Sequence, residues 1–261
     1  MAKIVIDPGH GGSDSGAVNG SYQEKNFTLA IGLKVRDYLA NRYQATLLMT
    51  RTTDQTVSLQ ERAALANSNN ADYFCSIHIN AGGGSGWESY IYDGPVSSQT
   101  VQWRDIIHNT VMGVIGPKYG VRDRGKKRAN FYVLRETNMP AVLLENLFID
   151  NANDLNLLRN STFINDLSSA IGEGIAKALS LPPKTLFKVI AGAFKDQQNA
   201  DNRKAYLATK GIDAIVVQVT ISGTTWYRVQ AGAYRIKENA EARLQEVKAA
   251  GITDAYIIEE A

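Results

Sequence analysis

A single cysteine, Cys75, and only three histidines stand in this 261-residue chain. One thiol cannot form an internal disulfide or a cysteine-based metal cluster, and it is compatible with synthesis in a reducing compartment. Long apolar runs are missing too: no stretch approaches the roughly 20 residues of a membrane helix, so membrane insertion is not expected. Nor does charge of one sign dominate. The whole chain has 28 Lys and Arg against 26 Asp and Glu, and residues 186–261 hold ten against nine. A polycationic surface for nucleic acid is therefore not expected. At the N-terminus, Met1-Ala2-Lys3 runs straight into Ile4-Val5-Ile6-Asp7, too few apolar residues for a signal-peptide core. The expectation is a soluble protein made in the cytoplasm without an export signal.

What is present suits a globular protein. Apolar residues make up 44% and charged residues 21%, enough to bury a core, and the length is comfortable for two domains. Short apolar runs predict strands at Lys3–Asp7, Ala45–Arg51, Tyr73–Asn80, Glu88–Tyr92, Phe131–Arg135 and Ala141–Ile149. Periodic segments predict helices at Glu24–Asn41, Leu59–Asn69, Thr100–Ile115 and Phe163–Leu179. The alternation points to an α/β fold, a mixed sheet flanked by helices, over residues 1–180. Prolines number six, and the one pair, Pro182-Pro183, cannot continue a helix, so residues 181–185 read as a linker.

Residues 186–261 repeat themselves. Phe187-Lys-Val-Ile-Ala-Gly-Ala-Phe194 returns as Tyr227-Arg-Val-Gln-Ala-Gly-Ala-Tyr234, followed by matched Asn199/Asn239, Ala200/Ala240, Arg203/Arg243 and Gly211/Gly251. Each copy reads strand, helix, turn, strand, which predicts a small βαββαβ, ferredoxin-like domain.

The histidines focus the search for chemistry. His10 lies in the loop Asp7-Pro8-Gly9-His10-Gly11-Gly12, after the first strand, and His78 closes the strand ending Ser76-Ile77-His78-Ile79-Asn80. Strand ends are where ligands gather in open α/β sheets, so the two can converge on one metal. His108 lies mid-helix and reads as structural. A catalytic zinc needs three protein ligands and an open position. Glu24 is the best third ligand, and it is equally the fourth residue of a capping box begun by Ser21. Alternation along the strand turns Cys75 away from the His78 face and puts Asn80 on it. Glu145 interrupts the apolar run Ala141–Ile149, where an unpaired carboxylate is costly; a nearby metal resolves that conflict, and emergence into solvent is the alternative. The run from Arg122 to Arg128, five bases and one acid, reads as a solvated loop, or else as an attractor of anionic polymers.

These residues together resemble the zinc-dependent N-acetylmuramoyl-L-alanine amidases of the amidase-3 type. The likeness rests on Ile6–Gly12, Glu24-Lys25, Ser76–Asn80 and Met139–Phe148, in that order, and covers roughly residues 2–180. It implies one zinc per chain on His10, Glu24 and His78, with Glu145 as the catalytic carboxylate. It implies hydrolysis of the amide joining the lactyl group of muramic acid to L-alanine in peptidoglycan. Asn80 and Arg135 are candidate helpers at the oxyanion. The position before Phe148, often Gly in the family, is Leu147 here. The tail resembles a SPOR domain, a peptidoglycan-binding module, with Gln230 and Tyr234 as candidate wall contacts; Ile190 stands in the first copy where Gln230 stands in the second. The combination resembles amidases of mother-cell lysis in sporulation. Competing readings are a phage lysin of the same activity, a zinc carboxypeptidase or other wall peptidase, and a non-catalytic wall-binding protein. An RNA-binding tail is a further one, against which the missing aromatic-rich RNP1 pattern counts.

Overall fold

The computed structural model describes residues 1–260 and divides into two compact units, Met1–Pro182 and Pro183–Ala261. In the first unit the chain runs β1 (Ala2–Pro8), β2 (Val18–Asn19), β3 (Tyr22–Gln23), α1 (Glu24–Arg42), β4 (Ala45–Met49), α2 (Leu59–Ser68), β5 (Tyr73–Asn80) and β6 (Trp87–Tyr92). It continues through α3 (Ser98–Tyr119), β7 (Asp123–Ala129), α4 (Tyr132–Arg135), β8 (Ala141–Phe148), α5 (Ala152–Leu158) and α6 (Ser161–Ala178). Six strands form one mixed sheet in the order β4-β1-β5-β8-β6-β7. The first four are parallel; β6 runs antiparallel to β8, and β7 parallel to β6.

Period-two alternation decides which face each side chain meets. In β5, Tyr73, Cys75, Ile77 and Ile79 enter the main core with Ile4, Val142 and residues of α1, α3 and α6. Phe74 faces the other way, into a smaller core with Val5, Leu143 and Leu134. His78 belongs to this second face. Each fully buried Ile or Leu stabilises by about 1.5–3 kcal/mol, so truncating Ile77, fully buried, is expected to cost about 2–5 kcal/mol. Cys75 is packed as a small apolar group, and burial pushes its thiol far above the usual range.

Several local expectations are corrected. Phe131–Arg135 is not a strand: the amides of Leu134 and Arg135 turn back to the Phe131 carbonyl, forming the short α4. The basic run is not a free loop but most of β7, an edge strand; Lys and Arg protect such an edge from pairing with other chains. The capping box at Ser21–Glu24 does not form. Gln23 is the N-cap and makes no side-chain bond, while Ser58 and Glu61 build a complete capping box on α2. The helix α5 lacked a strong periodic signal; Asn151 caps it, accepting from the Asn153 and Asp154 amides. The start of the expected linker is packed: Leu181 is buried and Pro182 O accepts from the Gln44 amide.

The second unit runs β9 (Leu186–Phe194), α7 (Gln197–Thr209), β10 (Ile215–Ile221), β11 (Thr224–Tyr234), α8 (Lys237–Ala249) and β12 (Tyr256–Glu260). Its sheet, ordered β10-β11-β9-β12, is antiparallel throughout. Both copies of the repeat place two alanines in the core, Ala191 and Ala200 in the first, Ala231 and Ala240 in the second. The copies share a further device: Arg203 lies over the Phe194 ring at 5.3 Å, while Arg243 Nε donates to Tyr234 Oη at 3.0 Å. Gln230 and Tyr234 line a cleft of about 300 Å³ with Asp213, Ile215 and Arg243.

Candidate metal centre and active site

The site begins where β1 runs out into the glycine-rich loop. His10 takes a left-handed backbone, φ 61°, and the loop is held in that shape by two buried arginines. Arg51 donates to the Pro8 and Gly9 carbonyls, and Arg62 to those of Pro8 and His10. Arg62 Nη1 also pairs with Asp7 Oδ1 at 2.6 Å, with Arg62 3% and Asp7 0% exposed. Asp7 is further satisfied by Thr50 and Ser76 hydroxyls, both at 2.6 Å. This network satisfies backbone carbonyls that a strand end leaves unpaired. Gly9 is required for close approach: a Cβ there would lie 2.4 Å from the His78 ring.

Glu24, the first residue of α1, is 4% exposed. Its Oε2 accepts from the Ala17 amide and its Oε1 from the Ile79 amide, both at 2.9 Å. Oε1 also lies 3.1 Å from His10 Nε2 and 3.1 Å from His78 Nδ1. One ligand atom from each of the three residues can be chosen so that all lie within 4.8 Å of one another. Burial works to raise the Glu24 carboxyl, but hydrogen bonds and charge from both histidines prevail and hold it far below the usual carboxylate range. Asp14 turns the other edge of the ring, its Oδ2 2.8 Å from His10 Nδ1, the carboxylate support that orients metal-binding histidines.

Glu145 meets the opposite conditions. It sits beside His78 in the register of β5 and β8, and beside Glu88 in that of β8 and β6. Its Oε2 is buried with no hydrogen-bond partner among the described residues. Burial pushes its carboxyl up to about 7, with Glu24 and Glu88 adding to the effect against His78 and His10. A bulge follows at once, since His78 pairs with Glu145 but Asn80 with Phe148. Leu147, within that bulge, has φ 71° and is fully buried. A left-handed backbone costs a non-glycine residue about 1–2 kcal/mol, and apolar burial of the leucine is of similar size. That is why a glycine suits the position and why a buried leucine is tolerated.

The arrangement fits a zinc ion on two counts. Two imidazoles and a carboxylate form a donor set of the kind found in catalytic zinc sites, and the unpartnered Glu145 oxygen points to a ligand yet to be supplied. Of the other candidates, Asn80 is engaged: its Nδ2 donates to Glu88 Oε1 at 2.7 Å and its Oδ1 accepts from the Ala81 amide. Arg135 lies on α4, bonded to Glu136 and Asn130, and is not among the groups around Glu24. His108 is buried between Ser89 and Asp123, a structural histidine. Sequence reasoning missed Asp7, Asp14, Arg51, Arg62 and Glu88. Glu88 carried a weaker signal than Glu145, since it opens its predicted strand where Glu145 interrupts one; the arginines carried none.

Known proteins align with this reading. The family model described as N-acetylmuramoyl-L-alanine amidase, Amidase_3, matches residues 4–177, and the SPOR domain model matches residues 183–259. The chain is 50% identical over 220 residues to N-acetylmuramoyl-L-alanine amidase CwlM of Bacillus licheniformis, covering 83% of this chain and 85% of that one. It is 47% identical over 221 residues to the sporulation-specific N-acetylmuramoyl-L-alanine amidase of Bacillus subtilis, with the same coverage, 83% and 85%. Among solved structures, the catalytic domain of CwlV from Bacillus (Paenibacillus) polymyxa matches with TM-score 0.63 at 35% identity, over 69% of this chain and 99% of that one. The chain therefore belongs to the Amidase_3 family of N-acetylmuramoyl-L-alanine amidases and carries a SPOR domain after its catalytic unit.

Proposed function

We propose that His10, Glu24 and His78 hold one zinc ion and that Glu145 is the general base of peptidoglycan amide hydrolysis. The observation that carries this is the pairing of a converged His-Glu-His set with an unpartnered carboxylate beside it in register. Zinc, when bound, supplies Lewis-acid polarisation of the lactyl carbonyl and makes a water reactive near neutral pH. Glu145 takes the proton of the attacking water on its free oxygen and returns it to the leaving amine of L-alanine. A base whose affinity for protons sits near the working pH performs both transfers well, and such catalysis contributes about 10²–10⁴-fold. Glu24 holds its charge through the cycle because the Ala17 and Ile79 amides both donate to it. Asp14 keeps His10 turned with Nε2 toward the centre.

The second unit, by this reading, keeps the enzyme on the wall, with Gln230 and Tyr234 at the contact. We place its action in wall lysis during sporulation. Support comes from the sporulation-specific relative, whose alignment spans 221 residues and so extends beyond the catalytic unit. An endolysin of Bacillus phage SPP1 is 45% identical over a shorter 188 residues. No helix among the described residues is long and apolar enough to cross a membrane. Mass analysis of purified peptidoglycan after digestion tests the chemistry: free lactyl muramic acid with intact stem peptides is expected, abolished by a chelator and restored by zinc. Cleavage inside the stem, or activity indifferent to chelation, would contradict it.

A further inference from the structure

Beside the metal centre, one buried carboxylate organises a second group of charges. Glu88 is 1% exposed, and both its oxygens are fully engaged. Oε1 accepts from Asn80 Nδ2 and from Tyr90 Oη, each at 2.7 Å. Oε2 accepts from Arg124 Nε at 2.7 Å and Lys127 Nζ at 2.5 Å. One carboxylate thus anchors two cations, and the cluster keeps a net charge of +1. The anchoring leaves specific donors open. Arg124 bonds Glu88 through Nε alone, and its guanidinium lies over the Phe148 ring at 4.7 Å. Among the described residues its two Nη groups have no hydrogen-bond partner, and the side chains of Arg124 and Lys127 are 25% and 34% exposed. A fixed, planar, two-pronged donor edge is what a carboxylate takes bidentately.

The position is as informative as the chemistry. His78, Glu145, Glu88 and the β7 cations follow one another across the strands β5, β8, β6 and β7. Strands lie about 4.8 Å apart, so the cations' backbone is roughly 10 Å from that of Glu145 and their heads, drawn back to Glu88, are nearer. Two extended residues span about 7 Å. In peptidoglycan the lactyl carboxyl is consumed in the scissile amide, so the nearest free carboxylate belongs to the acidic second residue of the stem peptide, whose α-carboxyl is either free or amidated.

We propose that Arg124 and Lys127, held by Glu88, bind that stem carboxylate and make the enzyme discriminate free from amidated stems. The proposal rests on the amidase reading of Glu145, and its test separates the two. The full zinc-loaded chain is given two soluble muramoyl peptides that differ only in an α-carboxylate or α-carboxamide at the second residue. The carboxylate substrate is expected to have the higher kcat/KM, by about 10- to 100-fold. Arg124→Gln and, separately, the milder edge substitution Lys127→Gln should draw that ratio toward one, mainly through KM. Calorimetry with the free stem peptides should show the same order of preference and the same loss. Equal rates for both substrates with the unaltered enzyme, or a ratio that survives in both variants, would overturn the subsite and leave the amidase reading standing. Cleavage of neither substrate would remove the amidase reading, and the subsite with it.

Discussion

Glu24 at the start of α1 and Glu145 near the end of β8 are both carboxylates withdrawn from water, each beside His78, and their surroundings treat them oppositely. Glu24 receives two backbone amides and two imidazoles, so its negative charge is stabilised in a buried place. Glu145 has an oxygen with no donor, and two further carboxylates as neighbours, so it holds a proton up to about pH 7. Burial alone raises a carboxyl; hydrogen bonds and opposite charge decide whether it stays raised. In the mechanism proposed above these two acids divide the labour, one as a permanent anion and one as a proton carrier.

The largest effect is expected where the anion is removed. Glu24→Gln should lose stoichiometric zinc and wall hydrolysis together, measured by elemental analysis and product release. Retention of zinc would break the comparison at its first term. Next comes the support beneath the loop. Arg62→Met leaves Asp7 buried without its partner, and breaking such a pair costs about 3–5 kcal/mol. Denaturant unfolding of the catalytic unit should show that loss.

A smaller effect sharpens the other term. In chelated protein, Glu145 binds its proton more tightly folded than unfolded, so the folded state holds the extra proton between about pH 4.5 and about 7. Stability should therefore fall as pH rises through that window and level off above it. Glu145→Gln should flatten this part of the curve, and an unchanged slope would show that the carboxyl is not raised. The smallest is a control. Ser58→Ala removes the cap that Glu61 completes on α2 and should cost about 1 kcal/mol, without change in zinc content. Glu61 and Glu24 each stand near a helix start; only Glu61 caps.

Much of the site was legible because strand ends expose it. The alternation of β5 placed His78 opposite Cys75, and an acid inside the apolar run of β8 announced itself by the cost of burying it. The choice between capping and ligation at Glu24 was not legible, since a Ser21-to-Glu24 spacing serves both and only the extended backbone of Tyr22 and Gln23, which makes Gln23 the N-cap, excludes the box. β7 was hidden because its alternation is carried by lysine and arginine stems with charged ends, which read as a loop. Phe131–Arg135 was too short for its period to separate one helical turn from a strand. Arg51 and Arg62 act through backbone carbonyls far away in sequence, contacts that no local pattern records.

The most direct measurement is zinc content and product release on Glu145→Gln, made side by side with the unaltered chain. One zinc per chain in both proteins, with amide cleavage reduced by about 10²-fold or more in the variant, is the expected result. Near-normal cleavage by a variant that keeps its zinc would contradict the role given to Glu145.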